Sequence, residues 1–286
     1  MNRKNILVTG ASGMLGSTFV AMVEKLYRIS TFPAGVDVAN TQDVAAQLKE
    51  IKPDIILHTA AYTDVDGCEL DPDKAHRVNV LGTKNLVIYC KKHNKELVYI
   101  SSTGVYGNRK QIGYTEDDDT DPTTVHHLTK LKAERFVQES LTKHLILRVG
   151  WLYGGGIDHK NNFVYKRFLE GKNKKVIYSD VTQKGNPTNC EDVVNQIFLL
   201  LEKNQYGVFN CVNEALNVSR FDYVKDIISS FGLDCRVEIA SDDMFGRIAP
   251  VSNNESAINK RLEDLGLNIM PNWKQSLVKY IDELKS

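Results

Sequence analysis

Residues 5–16 read NILVTGASGMLG, and this stretch decides the fold. Residues 5–9 form a short run centred on Ile6, Leu7 and Val8, the pattern of a strand buried on both faces. Gly10, Gly13 and Gly16 follow at once, and an amphipathic helix is predicted from Met14 to about position 26. A G-x-x-G-x-x-G turn between a strand and a helix has a physical use. Gly10 permits the tight turn, Gly13 lets a pyrophosphate approach the backbone, and Gly16 lets helix and strand pack closely. The helix start then faces the phosphates with free N–H groups and the positive end of its dipole. The alternative is an ordinary glycine-rich turn; the position after a first strand and before a helix favours dinucleotide binding. Ser12, Met14 and Leu15 lie in the same turn and join the three glycines as cofactor candidates.

Working outward, short apolar strands are predicted at 27–32, 55–57, 97–100 and 145–149. Helices are predicted at 41–51, opened by a cap signal at Thr41, and at 72–93. Apolar strands alternating with helices mean a parallel sheet covered on both faces. The expected fold is α/β, a Rossmann-like doubly wound sheet with a smaller C-terminal substrate-binding domain. The pattern changes after Trp151: a Gly-Gly-Gly turn, a helix at 163–170 and an irregular polar segment follow. A helix at 191–202 and a strand at 208–212 rejoin the main pattern, and helices are predicted at 220–231, 256–265 and 273–284. The predicted division is a dinucleotide-binding domain over residues 1–155 plus about 190–212. Residues from about 156–189 plus 213–286 form the smaller domain over the carboxyl ends of the strands, where open α/β sheets bind ligands.

Composition bounds the rest. The chain has 286 residues, 42% of them hydrophobic, enough for a large core with a smaller partner. Thirty-six basic residues balance 36 acidic ones, which gives no electrostatic reason to expect nucleic acid or a membrane surface. Cys68, Cys90, Cys190, Cys211 and Cys235 are odd in number and scattered, as expected of reduced thiols. His58, His144 and His159 show no metal-ligand spacing. With no signal-peptide pattern at the start and no long apolar run, a cytoplasmic protein is expected.

The glycine spacing is similar to that of the extended short-chain dehydrogenases. In that class an acidic residue closing the second strand holds the ribose of NAD, and an arginine there favours NADP. The position here is Pro33, so the choice between NAD and NADP stays open. Further motifs narrow the resemblance. Ala60-Ala61-Tyr62-Thr63-Asp64-Val65-Asp66 and Val78-Asn79-x-x-Gly82 are followed by Ile100-Ser-Ser102-Thr103-Gly104-Val-Tyr106. Then come Tyr114-x-Glu116, Thr129-Lys130-Leu-x-x-Glu134 and Arg148-Val-Gly-Trp151-Leu-Tyr153-Gly154. In this order, over essentially the whole chain, they resemble the dTDP-4-dehydrorhamnose reductase family.

The resemblance implies an NADP- or NAD-dependent oxidoreductase acting on a nucleotide-activated 4-keto-6-deoxy sugar in surface polysaccharide precursor synthesis. It implies that Asp37 and Val38 lie beside the adenine, and that Ala60, Ala61, Tyr62, Asn79 and Lys130 line the cofactor. Val65, Ser102, Thr103, Gly104 and Trp151 face the sugar; for Trp151 the alternative is a core aromatic at a domain seam. The partner implied is the nucleotide sugar, and a homodimer is compatible with the resemblance.

Carbonyl reduction needs hydride at carbon and a proton at oxygen. The resemblance assigns the proton to a tyrosine four residues before the lysine, with a Ser or Thr hydroxyl on the substrate oxygen. Ser102 and Lys130 are present, but the tyrosine position is His126, and His127 follows it. Three readings stand open. His126 donates as imidazolium; or another group, such as Tyr62, Tyr106, Tyr114 or His127, supplies the proton; or the chain is a catalytically impaired homologue with a regulatory or assembly role.

Overall fold

The computed structural model describes residues 3–241 and 244–286. The chain begins with β1 (Asn5–Thr9), α1 (Met14–Val23), β2 (Arg28–Thr31), α2 (Thr41–Ile51) and β3 (Ile55–His58). Two short helices, α3 (Val65–Leu70) and α4 (Pro72–His76), lead through a π-helical turn (Arg77–Leu81) into α5 (Gly82–His93). β4 (Glu96–Ser102) ends in a 3-10 turn (Thr103–Tyr106) and is followed by α6 (Val125–Ser140) and β5 (His144–Val149). Next come β6 (Trp151–Tyr153), α7 (Phe163–Asn173), β7 (Val176–Ser179), β8 (Pro187–Asn189) and α8 (Cys190–Glu202). β9 (Gly207–Cys211), α9 (Arg220–Phe231), β10 (Arg236–Ile239), α10 (Lys260–Asp264) and α11 (Trp273–Lys285) complete it.

The main sheet has six strands in the order β2-β1-β3-β4-β5-β9, and every pair is parallel. Alternate residues of a strand face opposite sides, so an all-apolar strand needs cover on both. Ile6 and Val8 of β1 meet Leu15 and Phe19 of α1 and Val193 and Ile197 of α8. Leu7 points the other way, into a cluster with Val44 and Leu48 of α2, Leu86 of α5 and Val137 of α6. This is the Rossmann-like doubly wound arrangement expected. The strand order turns outward in both directions between β1 and β3, which opens a crevice at their carboxyl ends.

Two small parallel pairs, β6 with β8 and β10 with β7, stand outside the main sheet. No strand is predicted in these stretches; each strand is three or four residues long and pairs with a distant segment. Trp151, Tyr153, Val164, Tyr223, Trp273 and Tyr280 form a core of their own beside them. The tail is not confined to that second core: Leu262 and Met270 pack into the main one.

Several predicted boundaries move: α1 stops at Val23, α7 runs on to Asn173, and the helix predicted at 72–93 is α4, the π-helical turn and α5. The cap of α2 is Asn40, whose side chain accepts from the N–H groups of Gln42 and Asp43; Thr41 is the first helical residue. The helix predicted at 256–265 shrinks to α10. Its first residues bond elsewhere: the Tyr114 N–H donates to Ser256 O at 2.8 Å, and the Ala257 N–H to the buried Asn186 side chain at 2.8 Å. Among the described residues no helix is long and apolar enough to cross a membrane.

Candidate active site

The site is built from the carboxyl ends of β1, β3 and β4 and the first turns of α6. At the end of β1 the turn closes with Gly10 at φ +68°, a left-handed conformation. A Cβ on Gly10 would stand 2.7 Å from Ala60 N, and one on Gly16 would stand 2.3 Å from Gly10 O. Both spaces are thus filled by backbone. Gly13 caps α1 with no side-chain hydrogen bond, and Ser12 and Gly13 are exposed. The first N–H groups of α1 therefore have no side-chain acceptor competing with a ligand anion. Met14 is half-buried, whereas Leu15 sends its side chain into the core and offers the turn only its backbone. Replacing Gly10 by alanine should cost about 1–3 kcal/mol of stability through left-handed strain. It should also weaken dinucleotide binding by roughly tenfold or more, about 1.4 kcal/mol, through the displaced turn. Thermal melts and calorimetric titration check the two effects separately.

Beyond the end of β2, Asp37 pairs with Arg77 and accepts from the Ala39 N–H at 2.9 Å. The Arg77 bond first, then the Ala39 bond, holds the Asp37 carboxyl below the usual carboxylate range. Val38 is buried against Gly82. Nothing in the local sequence signals Arg77 as the partner, because the π-helical turn that presents it is a tertiary feature.

The end of β3 runs into Ala60, Ala61 and Tyr62, all half-buried. Asn79, from the π-helical turn, grips the Tyr62 backbone: its Oδ1 accepts from the Tyr62 N–H at 2.8 Å and its Nδ2 donates to Tyr62 O at 3.2 Å. The same Nδ2 donates to Thr129 Oγ1 at 3.0 Å. Both ends of the Asn79 amide are thus engaged by protein, so it fixes the position of Tyr62 and α6. His126 Nδ1 lies 3.1 Å from Tyr62 O. A carbonyl can only accept, so Nδ1 carries the proton and Nε2 is left with a lone pair.

Ser102 closes β4, and its hydroxyl accepts from the Gly104 N–H at 3.2 Å. Thr103 and Gly104 are buried in the 3-10 turn that follows. Lys130 is buried on α6, one turn after His126, with its ammonium 4.4 Å from the centre of the Tyr99 ring. Below it a buried network ties α6 to the sheet. Arg148 pairs with Glu134, Ser101 Oγ donates to Glu134 at 2.8 Å, and Arg148 donates to Tyr106 Oη at 2.9 Å.

Burial sets the charges. It pushes His126 down to about 3, helped by the neighbouring His127 and Lys130 and opposed by the Tyr62 bond. It pushes His127 down to about 4, again with Lys130. Lys130 itself falls to about 7, with Glu134 opposing. Both imidazoles are therefore neutral at neutral pH, and Lys130 is near its midpoint.

Val65 opens α3 and is half-buried. Trp151 is 9% exposed, its indole N–H donates to Glu255 at 3.0 Å, and the Arg220 guanidinium lies 3.5 Å from its ring centre. Trp151 also belongs to the second core. Glu255 and Arg220 escape a reading of the sequence. Glu255 sits in the polar run Ser252-Asn-Asn-Glu-Ser256, which looks like solvated loop, yet it is buried beside His127. Among the described residues no group of three or more His, Cys, Asp or Glu side chains could hold a metal ion.

Comparison with known proteins places this geometry among relatives. Residues 4–286 match the family model described as RmlD substrate binding domain. The spore coat polysaccharide biosynthesis protein SpsK of Bacillus subtilis is 26% identical over 285 residues, covering 98% of each chain. The structure of a dTDP-4-dehydrorhamnose reductase from Clostridium acetobutylicum superposes with a TM-score of 0.93 at 31% identity, over 99% of this chain and 100% of that one. The dTDP-4-dehydrorhamnose reductase of Bacillus anthracis, solved in complex with NADP, has a TM-score of 0.93 at 30% identity, over 98% and 99% of the two chains.

Proposed function

Because the chain belongs to the RmlD substrate binding domain family, we propose that it is an NADP- or NAD-dependent reductase of a nucleotide-activated 4-keto-6-deoxy sugar. It would serve the synthesis of surface polysaccharide precursors, a reading supported by the SpsK relative, which is named for spore coat polysaccharide biosynthesis. The observation that carries the reading is the placement of Ser102 at the end of β4 and of Lys130, buried on the helix packed over that strand. At the end of β1 the glycine turn has an uncapped helix start, and backbone fills the space a side chain would need at Gly10 and Gly16.

Those features fit a dinucleotide. Gly10, Ser12, Gly13, Met14, Leu15 and Gly16 would hold its pyrophosphate through the backbone. Asp37 and Val38 would flank the adenine, and Ala60, Ala61 and Tyr62 would line the nicotinamide half. When bound, the dihydronicotinamide supplies hydride. The Lys130 ammonium would hold the nicotinamide ribose, and the Ser102 hydroxyl would donate to the sugar carbonyl oxygen. Val65, Thr103, Gly104 and Trp151 would shape the sugar pocket.

His126 enters this reading as an acceptor. With Nδ1–H held by Tyr62 O and a pKa near 3, it has no second proton to give at neutral pH. That favours a donor elsewhere, and it is also the observation that supports the second reading, a binding homologue with impaired catalysis. The two separate in NADPH and NADH oxidation against dTDP-4-keto-6-deoxyhexoses, with His126→Tyr run beside the natural protein. Turnover by the natural protein supports the reductase. Turnover by the tyrosine variant alone supports the binding homologue. Silence of both, with no dinucleotide binding by calorimetry, removes the reading.

A further inference from the structure

Two histidines stand side by side at the start of α6, and the structure gives them opposite hydrogen-bonding roles. Their ring centres are 5.1 Å apart and the ring planes are inclined at 65°. His126 is fixed with Nδ1–H on Tyr62 O, so its Nε2 accepts. His127 Nδ1 lies 3.0 Å from Thr124 Oγ1, the cap of the helix. That hydroxyl is buried and already accepts the His127 backbone N–H at 3.2 Å. Its own proton has one acceptor among the described residues, His127 Nδ1. A buried hydroxyl proton is paired wherever an acceptor is in reach, so Nδ1 accepts and the ring proton sits on Nε2.

Nε2 of His127 has no hydrogen-bond partner among the described residues. The ring lies flat against Gly104, where a Cβ would come within 2.1–2.4 Å of Cε1, Nε2 and Nδ1. Gly104 in turn donates its N–H to Ser102 Oγ at 3.2 Å. The ring is thereby held one residue contact from the hydroxyl that meets the substrate oxygen. Behind it, Glu255 Oε1 is 4.0 Å from His127 Nδ1, and its other oxygen is held by Trp151. Burial raises the Glu255 pKa, with the Trp151 bond and then Arg220 and Arg247 opposing, which keeps a proton on the carboxyl longer than at the surface.

We propose that His127, rather than His126, donates the proton to the reduced carbonyl oxygen, and that Glu255 is the reserve that reprotonates it. The inference rests on the reductase reading and adds to it a donor that the resemblance does not supply. As hydride arrives at the carbonyl carbon, the carbon–oxygen π pair moves onto oxygen. The Nε2–H bond breaks and an O–H bond forms. The Thr124 hydroxyl turns from donor to acceptor, which frees the Nδ1 lone pair, and one water passes the Glu255 carboxyl proton across the 4.0 Å gap to Nδ1, so the ring stays neutral in its other tautomer. Glu255 is left as carboxylate and regains its proton from water. The carbonyl is reduced and the dihydronicotinamide oxidised, with no other reactant. Thr124 acts as a positioning residue, setting the tautomer. The titratable groups around the pair are Lys130 and the neutral His126 on the same helix, Glu255 across the seam, and Arg220 and Arg247 behind it.

The test has one arm that needs no turnover. ¹⁵N NMR of the histidine rings at pH 7 should show His127 as the Nε2–H tautomer and His126 as the Nδ1–H tautomer. An Nδ1–H tautomer at His127 overturns the proposal whatever the enzyme does. In the kinetic arm, His127→Asn should lower kcat by about 10²-fold or more. His126→Asn should lower it by less than about tenfold, about 1.4 kcal/mol of barrier. In Glu255→Gln the fall of kcat/KM with rising pH that reports Glu255 ionisation should vanish, while NADPH affinity by calorimetry is unchanged. A larger loss at His126 than at His127, in variants that melt like the natural protein, overturns the donor assignment and leaves the reductase reading standing. A natural protein silent toward every 4-keto sugar nucleotide removes both.

Discussion

Glu134→Ala should destabilise the protein by about 3–5 kcal/mol, the largest single-site stability effect expected in this chain. Glu134 is fully buried and pairs with Arg148, which is itself only 6% exposed. Ser101 Oγ donates to Glu134 at 2.8 Å, and Arg148 continues to Tyr106 Oη at 2.9 Å, which donates to Asn210 at 2.7 Å. Removing the carboxylate leaves a guanidinium inside the protein with only a phenol to meet it. Desolvation of that uncompensated charge, more than the lost attraction, sets the magnitude. Urea unfolding with fluorescence gives the number. The companion variant Glu134→Leu with Arg148→Met should recover most of the loss, since a buried pair replaced by apolar side chains of similar size is often neutral. A single substitution costing under about 1 kcal/mol would show that water reaches this network. The effect extends to function because the network clamps α6 to β4 and β5 beneath Ser102 and Lys130. Catalysis should fail before the fold does.

Lys130→Met should move two observables in opposite directions. Turnover should drop by about 10²-fold or more, because the ammonium that would seat the nicotinamide ribose is gone. Stability at neutral pH should rise. Burial lowers the Lys130 pKa to about 7 from an ordinary 10.5, against the pull of Glu134. Between those values the unfolded chain holds a proton that the folded chain lacks, so unfolding free energy climbs with pH across the window. At pH 7 and below the folded protein carries nearly the whole penalty, and a neutral side chain of similar length relieves it. The gain is on the order of a few kcal/mol at most, since a pKa unit corresponds to about 1.36 kcal/mol. It should shrink as pH approaches 10. Melting curves at pH 6.5 and 9.5 beside NADPH-oxidation assays check both. A variant less stable than the natural protein at pH 6.5 would falsify the account of Lys130 as a charge held in the interior against its solvation.

How far the chain explains itself differs between scaffold and site. The order and spacing of its apolar runs determined the parallel sheet, because strands buried on both faces must be apolar throughout and helices must return between them. The glycines of the first turn were legible for a similar reason. Gly10 has a left-handed backbone, and Gly16 meets the Gly10 carbonyl, both within a few residues of sequence. Ser102, His126 and Lys130 could be named because motif order carries them, and the missing tyrosine was visible at once. The sequence alone left the consequence of that substitution open. Only the tertiary structure decided that Tyr62 O holds one face of His126, that Thr124 sets the tautomer of His127, and that Glu255 lies behind it. These contacts join residues up to 128 positions apart, and no local pattern encodes such a pairing. Burial is likewise a property of the packed molecule. A histidine or lysine in a sequence has its ordinary pKa, and it is the loss of solvent at the seam of β4, α6 and the segment around residue 255 that makes both imidazoles neutral and brings Lys130 to its midpoint.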